Sequence, residues 1–125
     1  MRFDHVNLRT SRLAEMRVWY VEVLGLTDGW RPDFAFDGAW LYAGEIAVVH
    51  LIAVDEEPGS DPADLKIEHF AFAADDLAGF RQRLAAQNIV PRERQVPGTD
   101  ILQFNIHDPD GNHIHVDFRT GSSKP

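Results

Sequence analysis

The sequence predicts an α+β fold built from two βαβββ modules in tandem, and three observations carry the prediction. The apolar pattern reads strand, helix, three strands, and then reads the same again. Residues with the same local role recur at a nearly fixed offset: His5 and His69 lie 64 apart, Ser11 and Asp75 64, Gly25 and Asn88 63, and His50 and His115 65. A single stretch between the two runs, 55–66, collects Pro58, Gly59, Ser60 and Pro62 among acidic residues and reads as a linker. The expected organisation is a first module over 1–54, the linker 55–66, a second module over 67–118 and a tail over 119–125, within one domain.

Each element has its own signal. Residues 3–10 alternate, with Phe3, His5, Asn7 and Arg9 on one face and Val6 and Leu8 on the other, as a half-buried strand requires. Ser11 is placed to cap the next helix, whose inner stripe is Leu13, Met16, Tyr20, Val23 and Leu24 and whose left-handed stop is Gly25. Its expected length is about fourteen residues, near the usual helix. Strands are expected over 26–30, 39–43 and 46–54, the last two joined by a tight hairpin at Gly44-Glu45. In the second run 67–73 alternates, Asp75 caps a helix with Leu77, Phe80 and Leu84 inside, and Asn88 replaces glycine as terminator. Strands over 90–96 and 101–106 lead to the closing one.

The closing stretch, 107–118, says most about chemistry. Asp108-Pro109-Asp110-Gly111-Asn112 forces a chain reversal, which His107 is expected to serve. From His113 onward polar and apolar residues alternate, so His113, His115 and Asp117 share one face while Ile114, Val116 and Phe118 share the other. One face packs and the other presents imidazoles. A histidine thus stands on the first and last strand of each module: His5 and His50, then His69 and His115. Pairing of the two sheets would let these four rings converge, as a borderline metal ion requires of nitrogen ligands about 2.0–2.1 Å away. Trp40 and Tyr42 alternate against Leu41 and supply aromatic faces suited to a planar ligand; Gln103 and Asn105 hold the comparable face of the second module and can donate to a substrate oxygen.

Composition narrows the function classes. Twelve basic against twenty acidic residues give a net charge of −8, which disfavours nucleic acid and anionic membrane. With no cysteine, a disulfide framework and a thiolate site are both excluded, so any metal is held by histidine and carboxylate. No secretory signal is evident, and the longest apolar run, 46–54, is broken by His50 and falls well short of the roughly 20 residues that span a bilayer. The expectation is a cytoplasmic protein that acts on a small molecule.

Asp4-His5-Val6, the helix running into Leu24-Gly25-Leu26, Glu68-His69 and the turn 108–112 together resemble the vicinal oxygen chelate superfamily, over residues 2–118. That group includes glyoxalases, bleomycin-resistance proteins and extradiol dioxygenases. The resemblance implies two mixed sheets forming a cup with the helices outside. It also implies a divalent metal (Zn, Ni, Fe(II) or Mn) at four positions that match His5, His50, His69 and His115. Both His50 and His115 stand where the family commonly has glutamate. In a glyoxalase-like lyase or isomerase that carboxylate moves the substrate proton, and His50 is expected to take the role. In a dioxygenase-like site the ligands become His5, His69 and His115, with His50 again the acid/base. The implied substrate chelates through adjacent oxygens, with Trp40, Tyr42, Gln103, Asn105 and His113 as its contacts. The rival expectation is a metal-free binding protein resembling bleomycin-resistance proteins. A homodimer is expected, with Trp30, Phe34 and Phe36 covering an interface or the cup.

Overall fold

Each half of the chain forms a four-stranded mixed sheet with one helix against one face, the expected α+β duplication. The structure is a computed structural model that describes residues 1–121; the last four residues of the expected tail lie outside the described residues. Two compact units meet in sequence between Ser60 and Asp61. The first contains β1 (Val6–Thr10), α1 (Leu13–Glu22), β2 (Thr27–Gly29), β3 (Gly38–Ala43) and β4 (Ile46–Ala53). The second contains β5 (Phe70–Ala74), α2 (Leu77–Ala86), β6 (Arg92–Gln95), β7 (Ile101–His107) and β8 (His113–Arg119), after a short 3-10 turn at Pro62–Asp64. Strand order is β1-β4-β3-β2 in one sheet and β5-β8-β7-β6 in the other. In each, the first strand runs parallel to the last and the remaining pairs are antiparallel. Among the described residues no helix is long and apolar enough to cross a membrane.

Alternation decides which face packs. Val6 and Leu8 register with Val49 and Leu51, which register in turn with Leu41 and Ala39, and α1 covers this face with Met16 and Tyr20 fully buried. In the second unit Ile114, Val116 and Phe118 register with Ile106, Phe104 and Leu102. Phe80 of α2 meets Phe104 at 5.3 Å and Phe118 at 5.5 Å between ring centroids. Full burial of each such side chain contributes about 1.5–3 kcal/mol, and a well-placed aromatic pair about 0.5–1.5 kcal/mol more. The opposite face of each sheet is left for polar and aromatic groups.

Several boundaries differ from expectation, for local reasons. β1 begins at Val6 rather than residue 3, because its pairing with β4 starts at Val49. β5 begins at Phe70 rather than 67, because Phe70 pairs with Ile114 and the partner strand itself starts at His113. β2 and β6 are likewise shorter than expected, and Val90 stays outside β6, almost wholly exposed. α1 spans 10 residues with Arg12, not Ser11, at its N-cap. The buried Thr10 hydroxyl there accepts from the Arg12 amide at 2.9 Å. In α2 the cap is Asp76 rather than Asp75, its carboxylate accepting from the Gly79 amide at 3.0 Å. The left-handed stops hold: Gly25 has φ +73 and Asn88 φ +55, and the hairpin pairs Ala43 with Ile46 around Gly44 at φ +62.

Candidate metal centre

In the second unit the alternation of β8 places His113 and His115 on the face away from α2. His69, the residue before β5, lays its ring on His115, with 3.8 Å between centroids and 15° between planes. Glu68 joins the two neighbouring histidines: Oε1 accepts from His69 Nδ1 at 2.6 Å and Oε2 from His113 Nδ1 at 2.7 Å. His113 Nε2 lies 3.0 Å from Asn105 Oδ1, and the Asn105 amide nitrogen donates to the Arg92 carbonyl at 3.0 Å. The result is a tight donor set in which ligand atoms of Glu68, His69, His113 and His115 all lie within 4.8 Å of one another. Hydrogen bonds from His69 first and His113 second pull the Glu68 carboxyl down to about 2, so it is ionised at neutral pH. Burial pushes the His115 imidazole below its ordinary value, which favours the neutral ring that a metal ligand must be.

The first unit repeats the pattern with one change. His5, just before β1, stacks on His50 at 3.8 Å and 9°, and Asp4 Oδ2 accepts from His5 Nδ1 at 2.6 Å. His50 Nε2 donates to the Ala47 carbonyl at 3.0 Å, beside the irregularity where β3–β4 register shifts between Leu41 and Tyr42, and Nδ1 is left as the ring's acceptor. Burial lowers the His50 pKa, with the neighbouring His5 adding to the effect. The other face of His50 stacks on Trp40 at 4.0 Å and 13°. Trp30 meets Trp40 edge-on at 6.0 Å, Phe34 approaches it at 6.4 Å, and Phe34 and Phe36 stack beneath the Arg31 guanidinium. Tyr42 braces this loop: its hydroxyl donates to the Trp30 carbonyl at 2.6 Å, and its ring covers Gly29, where an added Cβ would lie 2.8 Å from it.

Of the residues expected from sequence, His69, His113, His115 and Asn105 come together in the second unit, and His5, His50 and Trp40 in the first. Gln103 shares the face of Asn105 two residues away, in register with Asp117. Tyr42 reaches the first group through Trp30. The turn before β8 is held by Asp108, whose Oδ1 accepts from the Asp110 and Asn112 amides at 3.0 and 2.9 Å and whose Oδ2 accepts from the Asn112 side chain at 2.9 Å. His107 instead stacks on His113, at 5.0 Å and 17°. One acid of this cluster, Glu68, lies outside the site residues expected from sequence. Glu68 was signalled by the acid-histidine dipeptide that both modules share, Asp4-His5 and Glu68-His69. Asp117 shares the face of His115, as expected, and its Oδ1 is buried without a hydrogen-bond partner among the described residues.

The family model for the Glyoxalase/Bleomycin resistance protein/Dioxygenase superfamily matches residues 2–116. The chain belongs to that superfamily. Among solved structures, a glyoxylase/bleomycin resistance protein/dioxygenase domain from Frankia sp. EAN1pec is similar at TM-score 0.78 and 18% identity, covering 98% of this chain and 95% of its own. A protein assigned to the glyoxalase family from Bacillus anthracis gives TM-score 0.73 at 23% identity, over 96% of each chain. Lactoylglutathione lyase from Agrobacterium tumefaciens gives 0.64 at 21% identity, over 94% of this chain and 92% of its own. At such identities the likeness is one of fold. No curated protein matches the chain in sequence. Superfamily members typically bind a divalent metal, and the donors present fit one: imidazole nitrogens with a carboxylate suit borderline and harder divalent ions alike.

Proposed function

We propose that the chain is a small metal-dependent enzyme of the vicinal oxygen chelate type, glyoxalase-like (lyase or isomerase) or extradiol-dioxygenase-like. Its substrate is a small molecule that chelates through adjacent oxygens. The observation that supports this reading best is the cluster of Glu68, His69, His113 and His115, whose candidate ligand atoms lie within 4.8 Å of one another and which brings the two assigned ligands His69 and His115 together. We assign His5, His50, His69 and His115 as the metal-binding residues, for Zn, Ni, Fe(II) or Mn. When bound, such a cation supplies Lewis-acid polarisation of substrate oxygens.

The chain's own residues supply the rest. Burial, and after it the neighbouring His5, favour the neutral His50 ring, and its Nε2–H bond to the Ala47 carbonyl leaves the Nδ1 lone pair as the available proton acceptor. It takes over the role that glutamate commonly fills in the family; when it acts as acid/base, His5, His69 and His115 remain as ligands. Isomerisation needs that base beside a substrate carbon, whereas ring cleavage needs it near an oxygen, and His50 serves either. Trp40 forms the wall for the planar part of the substrate, with Tyr42 bracing it, while Gln103, Asn105 and His113 face substrate oxygens.

Elemental analysis of protein prepared without chelator tests the reading. Stoichiometric transition metal and a rise in Tm on adding it are expected; His69→Ala abolishes both and His107→Ala neither. Protein with no stoichiometric metal and no melting shift overturns the reading in favour of metal-free sequestration in the manner of bleomycin-resistance proteins. The aromatic array of Trp30, Phe34 and Trp40 beside His50 favours that second reading. We further assign a cytoplasmic location and a homodimer, the dimer supported by the exposed edge strand β2 and by Trp30 at 71% exposure. Light scattering that gives only the 14.1 kDa monomer at micromolar concentration overturns the dimer.

A further inference from the structure

Both halves carry a feature that the ligand assignment does not use: an acidic residue directly before the first histidine, hydrogen-bonded to that histidine's Nδ1. The contact is Asp4 Oδ2 to His5 Nδ1 in one unit and Glu68 Oε1 to His69 Nδ1 in the other, each 2.6 Å. The two dyads lie 64 residues apart, the offset of the duplication itself. Neither acid fills a core, since the Asp4 and Glu68 side chains are 64% and 71% exposed.

An ionised carboxylate only accepts, so the ring nitrogen facing it must carry the hydrogen. A neutral imidazole has one N–H, and placing it at Nδ1 leaves the lone pair at Nε2. The orientation of each ring is already limited by stacking, His5 on His50 and His69 on His115. What stacking leaves open is the tautomer. Resting on the metal reading above, we propose that Asp4 and Glu68 are positioning residues that fix His5 and His69 as Nδ1–H tautomers and so present Nε2 as the donor atom. A ligating histidine that gives its other N–H to a carboxylate is both oriented and made more basic.

The two dyads are not equally anchored. Glu68 also accepts from His113 through its second oxygen, and Asn105 faces His113 from the other side, so this carboxylate is tied to β8 and β7. Among the described residues Asp4 hydrogen-bonds His5 only. Loss of Glu68 therefore has the larger effect.

Long-range 1H–15N NMR of the metal-free protein reads the tautomers directly, and competition with a chromophoric chelator reads Zn affinity. His5 and His69 are expected as Nδ1–H. Asp4→Ala and Glu68→Ala are expected to lose the single tautomer and to bind Zn about 10- to 100-fold more weakly. Asp4→Asn, whose amide oxygen still accepts, keeps the tautomer and most of the affinity. Glu45→Ala, an exposed acid in the β3–β4 turn, controls for net charge and should leave Zn binding unchanged. An Nε2–H tautomer in the native protein, undiminished Zn affinity in both alanine variants, or an equal loss in Glu45→Ala overturns the positioning role. Native protein that holds the Nδ1–H tautomers yet binds no Zn overturns the metal reading itself, and the ligand role of these dyads with it.

Discussion

Replacing Asp108 by alanine is expected to cost about 3 kcal/mol, because this one carboxylate closes the turn that delivers the histidines of β8. It is buried, at 5% exposure, and accepts from the Asp110 amide, the Asn112 amide and the Asn112 side chain. A hydrogen bond to a charged group has a net worth of about 1.5–3 kcal/mol. The three share one acceptor, and Asp110 and Asn112 are only half-buried, so water reaches the freed donors and the terms do not add in full. The backbone bonds from Asp108 N to Asn112 O and from Gly111 N to Asp108 O survive the change. For a chain of this length the loss corresponds to a Tm drop of roughly 10 °C. Asp108→Asn keeps an oxygen for the two backbone amides and should cost only about 1 kcal/mol. Urea unfolding followed by far-UV circular dichroism measures both variants, with the slope against urea unchanged. An alanine variant within about 0.5 kcal/mol of native, or an asparagine variant no better than alanine, would refute the claim that side-chain bonds hold this turn.

Phe104→Ala should cost about 3–5 kcal/mol by the same assay, since the ring is fully buried and meets both Phe80 and Phe118 edge-on. Glu93→Gln should be slightly destabilising at pH 7, by about 0.5 kcal/mol, because Glu93 and Arg81 form an exposed two-pronged pair at 2.9 and 3.0 Å. The Arg81 hydrogen bonds hold the Glu93 carboxyl below its ordinary value. Its contribution is therefore present above the unfolded pKa and lost as pH falls through the folded one, so native and variant should converge in acid; a gap that widens below pH 4 refutes the sign. Catechols and hydroxamates should compete for one metal-dependent site and bind more weakly to His5→Ala, read by spectroscopic titration. Binding that survives complete metal removal refutes chelation.

The parts of the fold that were legible in the sequence are those where few residues meet a backbone requirement. Gly25, Gly44, Asn88 and Gly111 all take positive φ, and each was placed as a stop or a turn from residue type alone. Helix caps were misplaced by one residue in both halves, and the repeat could not correct this: positions 11 and 75 keep the offset of 64 as well as 12 and 76 do. What decides is a local hydrogen bond, and the halves use different ones, the Thr10 hydroxyl in the first and the Asp76 carboxylate in the second. Strand ends failed where an expected strand outran its partner, as before Phe70. The pairs His5 with His50 and His69 with His115 were legible because duplication repeats them. The second contact of Glu68 was not, since it reaches His113 across 45 residues and no local pattern encodes it.

The side-chain ladder on each polar sheet face separates what the duplication kept from what it changed. Neighbouring strands lie about 4.7–4.9 Å apart, close enough for flat side chains in register to lean into contact. In the first unit the ladder runs His5, His50, Trp40, with Trp40 and His50 paired across β3 and β4. In the second it runs His69, His115, Asn105, with Asn105 and His115 paired across β7 and β8. The first two rungs are histidines in both units, and in both an acid holds the outer ring, Asp4 in one and Glu68 in the other. The third differs: an indole that gathers further aromatics in one unit, an amide that joins a hydrogen-bond network in the other. On the proposed reading the conserved rungs serve the cation and the third meets the rest of the ligand. The residues that carry the family resemblance lie on the first two rungs and in the turns. On the same proposed reading, the residues that meet the substrate lie where the two halves of this chain already diverge, which is why family membership follows readily from the sequence and the substrate does not.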